Sequence, residues 1–592
     1  MARALGAHTL LIEAGEPPSR ALIGGKAWSL ARMSGMGLSV PPAFVVTTEA
    51  CRVYLRSGAV PDGLVDELKA GIAALEAATG RRFGTGPRAL LVSVRSGGAV
   101  SMPGMMDTVL NLGMTETTEA ALATESGDAG FARDSHRRFL EMYARIVLKA
   151  PLIELDHGAD VASWRAAIAS QGVGEVPHEA PAQLDAAVKA VFESWNSRRA
   201  RRYREHHNLP HEAGTAVTVQ AMIFGNMSDD SGTGVLFSRN PLTGDPVPYG
   251  EYLPRAQGED VVSGTRTPEP LSALAGVLPT VHDELLCAAR RLEDEERDVQ
   301  DIEFTVERGR LYLLQARAAK RAPEAAVALA VDFVKEGRID QAIALGRVSA
   351  DQVRSLLRPR LKPGEAARVM ILARGEGACP GVGVGAVVGD ADAAEAAARA
   401  GKAVVLVRPT TSPEDVHGMI AAKAVVTAEG GSTSHAAVVS RALGLPCVVG
   451  CGAAAIAALN GRTVTVDGGV GQVFDGALAV VAPSERDDPR LIELARWATS
   501  ASTLKVYARG EAPASARIAD LDQLDGGEDA TRLASLVAGC DGARGHVLAS
   551  DAGVAAALKA GLKFIEISPV LPALLAAIAA SRSAAAIEEP VA

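Results

Sequence analysis

The sequence predicts a multidomain α/β fold, and three observations support it. A chain of 592 residues, 48% of them hydrophobic, can bury several cores, and its length corresponds to about three or four domains. Between residues 362 and 483, strand-like runs "AVVLV", "AVVTA", "CVVG" and "TVTVDG" alternate with alanine-rich helical segments, the pattern of a compact α/β unit. Composition also shifts on either side of that unit, which sets the domain organisation.

In chain order, residues 1–319 mix β-type runs (89–94, 215–224, 302–316) with helical stretches such as 135–149, and read as one large α/β domain. Residues 320–361 carry apolar residues at helical spacing with single glycine or proline breaks, and read as a helical linker. The compact unit fills 362–483. The tail, 484–592, is rich in alanine; within it "GHVLASDAGVAAALKAGLKFIEIS" reads as strand, helix, strand.

A formal charge of −10 provides no overall attraction to nucleic acid or to an anionic membrane. The basic run "SRRARRYREHH" (197–207) has only Tyr203 as an aromatic, so it reads as a solvated helix face rather than a nucleic-acid site. Six cysteines without a CxxC pair, and an N-terminus too weakly apolar for a signal peptide, fit a reducing cytoplasm. The run "VLPALLAAIAAS" is far short of the ~20 residues a spanning helix needs, so no membrane anchor is expected.

The strongest chemical signal is "AEGGSTSHAAVVSRALGLPCVVG". Gly430 and Gly431 permit a tight backbone approach, Ser432, Thr433 and Ser434 offer capping hydroxyls, and Gly444 with Pro446 ends the helix. His435 then falls in the first turn, where the helix dipole disfavours imidazolium and free N–H groups can hold an anion. A neutral imidazole is a nucleophile, and the same donors would hold a phosphoryl group once attached. A helix-capping histidine is the plainer alternative for a lone histidine, but the glycines and hydroxyls weigh against it.

The first 319 residues contain parts suited to a phosphate donor. "LIGGKAWSL" sets Lys26 after two glycines and before a helix, and "ALLVSVRSGG" brings Arg95 out of an apolar strand. "QDIEFTVERGRLYLLQARAAKR" reads as a hairpin turning at Gly309, with Asp301 and Glu303 on one face at a spacing suited to Mg²⁺ on nucleotide phosphates. Gln315 and Arg317 share a face of the return strand. A three-residue loop would put all four on the same side and a two-residue loop would oppose them, so the register stays open. A solvated hairpin with surface ion pairs is the alternative reading.

The stretch "VLVRPTTSPEDVHGMIAAKAVVTAEGGSTSHAAVVSRALGLPCVVG" resembles the phosphohistidine domain of the pyruvate, phosphate dikinase family. Lys26, Arg95, "SMPGMMDTVLNLG", "GTAVTVQAMIFGNMSDDSGTGVLFSRNPLTG", "AQGEDVVSGTRTP" and the hairpin follow in the order of that family's ATP-grasp domain, and the similarity runs with gaps from about Gly24 to about Gly476. The resemblance implies an ATP-grasp domain, a swivelling phosphohistidine domain and a short α/β tail. It implies that Mg-ATP phosphorylates His435 and leaves AMP, with Lys26, Arg95 and Arg317 on phosphates, Gln315 on the nucleotide, Asp301 and Glu303 on Mg²⁺, and adenine near Gln220 and Met222. Thr433 corresponds to a threonine that some members phosphorylate for regulation. The sequence departs from the family at Ser432, usually methionine, and at "ACPG" (378–381), usually Ser-Pro-Gly.

The family's third part, a (β/α)₈ barrel for phosphoenolpyruvate or pyruvate, takes ~250 residues. The tail has roughly a hundred, of which "STLKVYARGEAPAS" resembles a first barrel strand. The expected acceptor is therefore pyruvate by resemblance, reached with a partner subunit. Inorganic phosphate as a cosubstrate and homo-oligomerisation both stay open. An alcohol or phenol acceptor, or a non-catalytic nucleotide-sensing role, are the alternatives.

Overall fold

The computed structural model describes residues 3–588 except 101, 103, 104, 152, 208, 263–265, 358, 359, 363, 367, 368, 444, 482 and 528. Gly444 and parts of "SMPGMMD" and "VVSGTR" therefore lie outside the described residues. Among those described, no helix is long and apolar enough to cross a membrane.

The first 319 residues build two antiparallel sheets. One has six strands, in the order Arg3–Ala4, Thr9–Leu11, Ala43–Val46, Ala216–Ala221, Val92–Gly97 and Thr108–Leu112. The other has five, in the order Glu269–Pro270, Tyr249–Pro254, Gly232–Phe237, Gln300–Glu307 and Arg310–Ala318. Helix Arg20–Gly35 joins them: the Gly25 amide donates to the Gly98 carbonyl at 2.9 Å, and the Ser29 hydroxyl donates to the Ala316 carbonyl at 2.6 Å. The helix kinks at Gly24 (φ 74°), where a Cβ would lie 2.0 Å from the Gly97 oxygen, so only glycine permits this approach. Lys26 is therefore inside the helix, one residue past its glycine pair.

Residues 371–475 form an eight-stranded sheet whose middle strands, Val382–Val388, Val404–Arg408, Ala424–Thr427 and Cys447–Val449, run parallel. Their near-continuous valines are buried because apolar clusters cover both faces of the sheet. Helix His435–Leu443 begins just beyond strand Ala424–Thr427, placing His435 at the carboxyl end of that strand.

The segment read as a linker folds as helices Pro323–Lys335, Gln341–Arg347 and Ala350–Leu356 and shares one apolar core with the tail. Val327, Leu329, Val331 and Phe333 are all buried, so the first of these helices is covered on every side. The tail is a parallel four-stranded sheet in the order Lys505–Tyr507, Phe564–Glu566, Gly542–Arg544 and Ile518–Asp520. The expected strand at "GHVLAS" is a 3₁₀ turn, His546–Ala549; the strand lies just before it.

Candidate active site

Lys26, Arg95, Asp301, Glu303 and Arg317 converge in the cleft between the two antiparallel sheets. Arg95 Nη2 lies 3.1 Å from Glu303 Oε2, and Arg317 Nε lies 2.8 Å from Asp301 Oδ2. Burial, helped by Arg95, brings the Lys26 ammonium down to about 7, with Glu303 opposing. Burial alone would raise the Glu303 carboxyl, yet Arg95, Arg317 and Lys26 hold it below its ordinary range. Gln315 Oε1 is buried without a partner. An orphan amide oxygen beside two carboxylates is an all-oxygen donor set that fits a hard divalent cation.

The hairpin answers the register question in an unforeseen way. Glu307 pairs with Arg310, so the loop has two residues, Arg308 and Gly309, both at positive φ. Continued regularly, that register would put Asp301 opposite Ala316 and turn Arg317 to the other face. Instead Glu303 pairs with Gln315 while Phe304 pairs with Leu313, leaving Leu314 as a bulge. The one-residue shift sets Asp301 opposite Arg317 and Glu303 opposite Gln315, with all four side chains on one face.

His435 occupies the first position of its helix. Burial lowers its imidazole from 6.5 to about 4, with Asp415 opposing. Nδ1 lies 3.2 Å from Thr411 Oγ1, while Nε2 and the neighbouring Ser434 Oγ are buried without partners. Gly430, Ser434, Thr410 and Thr411 line a small cavity at this point.

Ser432 and Thr433 do not cap the helix as expected. Both hydroxyls donate to Glu251 on strand Tyr249–Pro254 of the five-stranded sheet, Ser432 at 3.0 Å and Thr433 more closely. Tyr249 Oη donates at 2.7 Å to Ser432 Oγ or at 2.8 Å to Glu376. Gly431 is pressed against the same carboxylate, with 2.6 Å from its would-be Cβ to Glu251 Oε1. Burial raises Glu251, the two hydroxyls oppose this, and Glu376 adds to it. Buried Arg441, from the His435 helix, lies 5.9 Å from the Phe237 ring centroid and feels the field of Asp301. The histidine domain is therefore docked on the N-terminal domain, and Thr433 is 94% covered in that position, being 6% exposed.

Comparison with known families agrees with this geometry. Residues 20–70 and 57–276 match "Pyruvate phosphate dikinase, AMP/ATP-binding domain", and residues 400–471 match "PEP-utilising enzyme, mobile domain". The chain is 41% identical over 552 residues to a pyruvate, phosphate dikinase of Rhizobium meliloti (strain 1021), covering 85% of this chain and 61% of that protein. It is 40% identical over 537 residues to that of Clostridium symbiosum, with 85% and 61% covered. The chain is pyruvate, phosphate dikinase-like. It spans about 60% of the length of these relatives.

In this dikinase-like chain the site residues anticipated from sequence fall into two groups. Lys26, Arg95, Asp301, Glu303, Gln315 and Arg317 share the cleft between the two antiparallel sheets; His435 and Thr433 sit on the docked loop. Sequence reading missed Glu251, Tyr249, Thr411 and Arg441. Arg441 was the detectable one, a cation inside the apolar helix "HAAVVSRAL". Glu251 carried no signal, since a lone acid in "YGEYLP" is ordinary on an antiparallel strand.

Proposed function

We propose that the chain is an ATP-dependent phosphotransferase in which His435 carries the phosphoryl group. The carrying observation is a neutral imidazole whose Nε2 is buried and unpartnered beside the unpartnered Ser434 hydroxyl, at a helix N-terminus. With its proton held on Nδ1 toward Thr411, Nε2 presents a lone pair. It attacks the β-phosphorus of ATP, the bond to the AMP oxygen breaks, AMP leaves, and His435 carries the β,γ-pyrophosphoryl group until phosphate attacks the γ-phosphorus and departs as pyrophosphate, leaving the β-phosphoryl on the histidine. Lys26, Arg95 and Arg317 hold the polyphosphate, and Gln315 helps hold the nucleotide. Asp301 and Glu303 would hold Mg²⁺, which when bound neutralises phosphate charge.

The relatives' name includes pyruvate and phosphate, and both come to this chain as proposed acceptors: phosphate for the γ-phosphoryl, pyruvate for the β-phosphoryl kept on His435. The described tail residues form a four-stranded sheet, so we place the pyruvate site beyond them, on this polypeptide or on a partner. The histidine domain must then leave its dock to deliver its load. Thr433 is proposed as a regulatory site: phosphate there would meet the Glu251 carboxylate and prevent docking.

The test is labelling with β-labelled ATP. The wild-type chain should gain acid-labile, alkali-stable label and release AMP, and His435→Ala should gain none. Undiminished labelling of that variant removes the assignment. In a coupled assay, the described chain alone should make no phosphoenolpyruvate; sustained production would locate an acceptor site in the tail.

A further inference from the structure

Docking forms a solvent-open cleft of about 510 Å³ between the two domains, within the ~300–1,000 Å³ range of small-molecule sites. None of Lys26, Arg95, Asp301, Glu303, Arg317 or His435 lines it, so it is separate from the site above. Its histidine-domain wall carries an apolar strip, Val416, Ile420, Val439 and Leu443, beside the acids Asp392 and Glu414. Ile420 is 43% exposed even with the domains docked, a large apolar side chain left facing the space.

The opposite wall comes from the basic run 197–207, and here the expected solvated face is only partly right. Arg204 is fully buried, 4.1 Å from the Trp195 ring centroid, and Arg199 pairs with Asp107. Arg198 and Arg202, with Lys320 from beyond the hairpin, line the cavity and have no ionic partner among the described residues. The acids on the cavity wall are Asp392 and Glu414, on the histidine-domain side, where His417 binds Asp392 at 2.9 Å. Three cations without an ionic partner on one side, and the apolar strip on the other, specify the two ends of a ligand.

We propose that this cavity binds a small amphipathic anion, an aromatic or acyl body bearing one carboxylate, sulfonate or phosphate. The anionic end lies on Arg198, Arg202 and Lys320; the apolar body lies on Ile420 and Val439. Because the walls belong to both domains, the complete site exists only when they are docked, so occupancy favours the docked arrangement.

The probe is anilinonaphthalene sulfonate, with the uncharged phenylnaphthylamine as its control. The full chain should bind one sulfonate probe with blue-shifted emission, about tenfold more tightly than the control. Arg198→Glu/Arg202→Glu should remove that preference, and Val439→Trp should abolish binding of both compounds. Tyr249→Phe/Glu251→Ala, which alters no cavity residue, should weaken the probe by loosening the dock. Equal affinity for the two compounds, or probe affinity unchanged in the arginine and tryptophan variants, overturns the site. Unchanged affinity in the Tyr249/Glu251 variant overturns its dependence on docking. These readouts need no phosphoryl transfer, so they stand apart from the His435 experiment.

Discussion

In the nucleotide cleft, five ionisable side chains are held by one another: Glu303 by Arg95, Asp301 by Arg317, with Lys26 partly discharged among them. The loop around His435 is the reverse. From Gly430 to Ser440 it contains no Asp, Glu, Lys or Arg, and its imidazole stays neutral down to about pH 4. On the proposed reading, the cleft receives a polyphosphate, and its acids keep the cations in place until they turn to a metal ion. On the same reading, the loop would meet an acquired phosphoryl group with the hydroxyls of Ser434 and Thr411 rather than with fixed cations. Among the described residues, Glu251 and Glu376 bind the loop at Ser432 and Thr433, where they hold the dock, while Glu429 lines the cavity at His435.

After the His435→Ala labelling loss, the sharpest way to break this contrast is to remove charge from the cleft alone. Asp301→Asn/Glu303→Gln preserves shape but leaves Arg95 and Arg317 unpaired. Phosphoenzyme formation should fall by at least ~100-fold while the chain still unfolds cooperatively. Labelling at the normal rate would mean that the hairpin acids are structural ion pairs.

Much of this contrast was legible in the sequence, and the remainder was lost for identifiable reasons. Residue types alone left the cleft open, since the hairpin acids fit a solvated hairpin as well; the resemblance to the dikinase family carried it. The bulge at Leu314 was not legible: "RLYLLQARA" has no glycine or proline to mark it, and the two-residue turn alone gives the opposite answer. The hydroxyls of Ser432 and Thr433 pointed toward capping, their local use; their actual partner, Glu251, is more than 180 residues away. Local pattern cannot identify such a partner. For the same reason the segment 320–361 looked like a linker, since its core lies in the tail.

A smaller effect isolates the dock. Ser432→Ala/Thr433→Val removes both hydroxyl donors to Glu251 and leaves the cleft and His435 intact. Hydrogen bonds to a charged group contribute about 1.5–3 kcal/mol each, but Glu251 regains water when the domains part, so the docked share should fall by about tenfold rather than by the full sum. Donor–acceptor fluorophores, one on each domain, would report it. An unchanged docked share would assign the contact to Tyr249 and Arg441 instead.

The smallest effect is a proton. Free Lys26 titrates near 7 because burial and Arg95 disfavour its charge, with Glu303 only partly compensating. Bound polyphosphate favours the ammonium form, so its pKa rises on binding and the site takes up a proton wherever free Lys26 is neutral. With a free value near 7, the uptake per Mg-ATP should be clearly larger at pH 8, where free Lys26 is mostly neutral, than at pH 6, where it is mostly charged already. His435 contributes nothing to this difference, since it is neutral at both pH values. Titration calorimetry in buffers of different ionisation enthalpy measures the uptake directly. Lys26→Met should remove it while weakening binding, and equal uptake at the two pH values would place the free ammonium outside the range in which burial has discharged it.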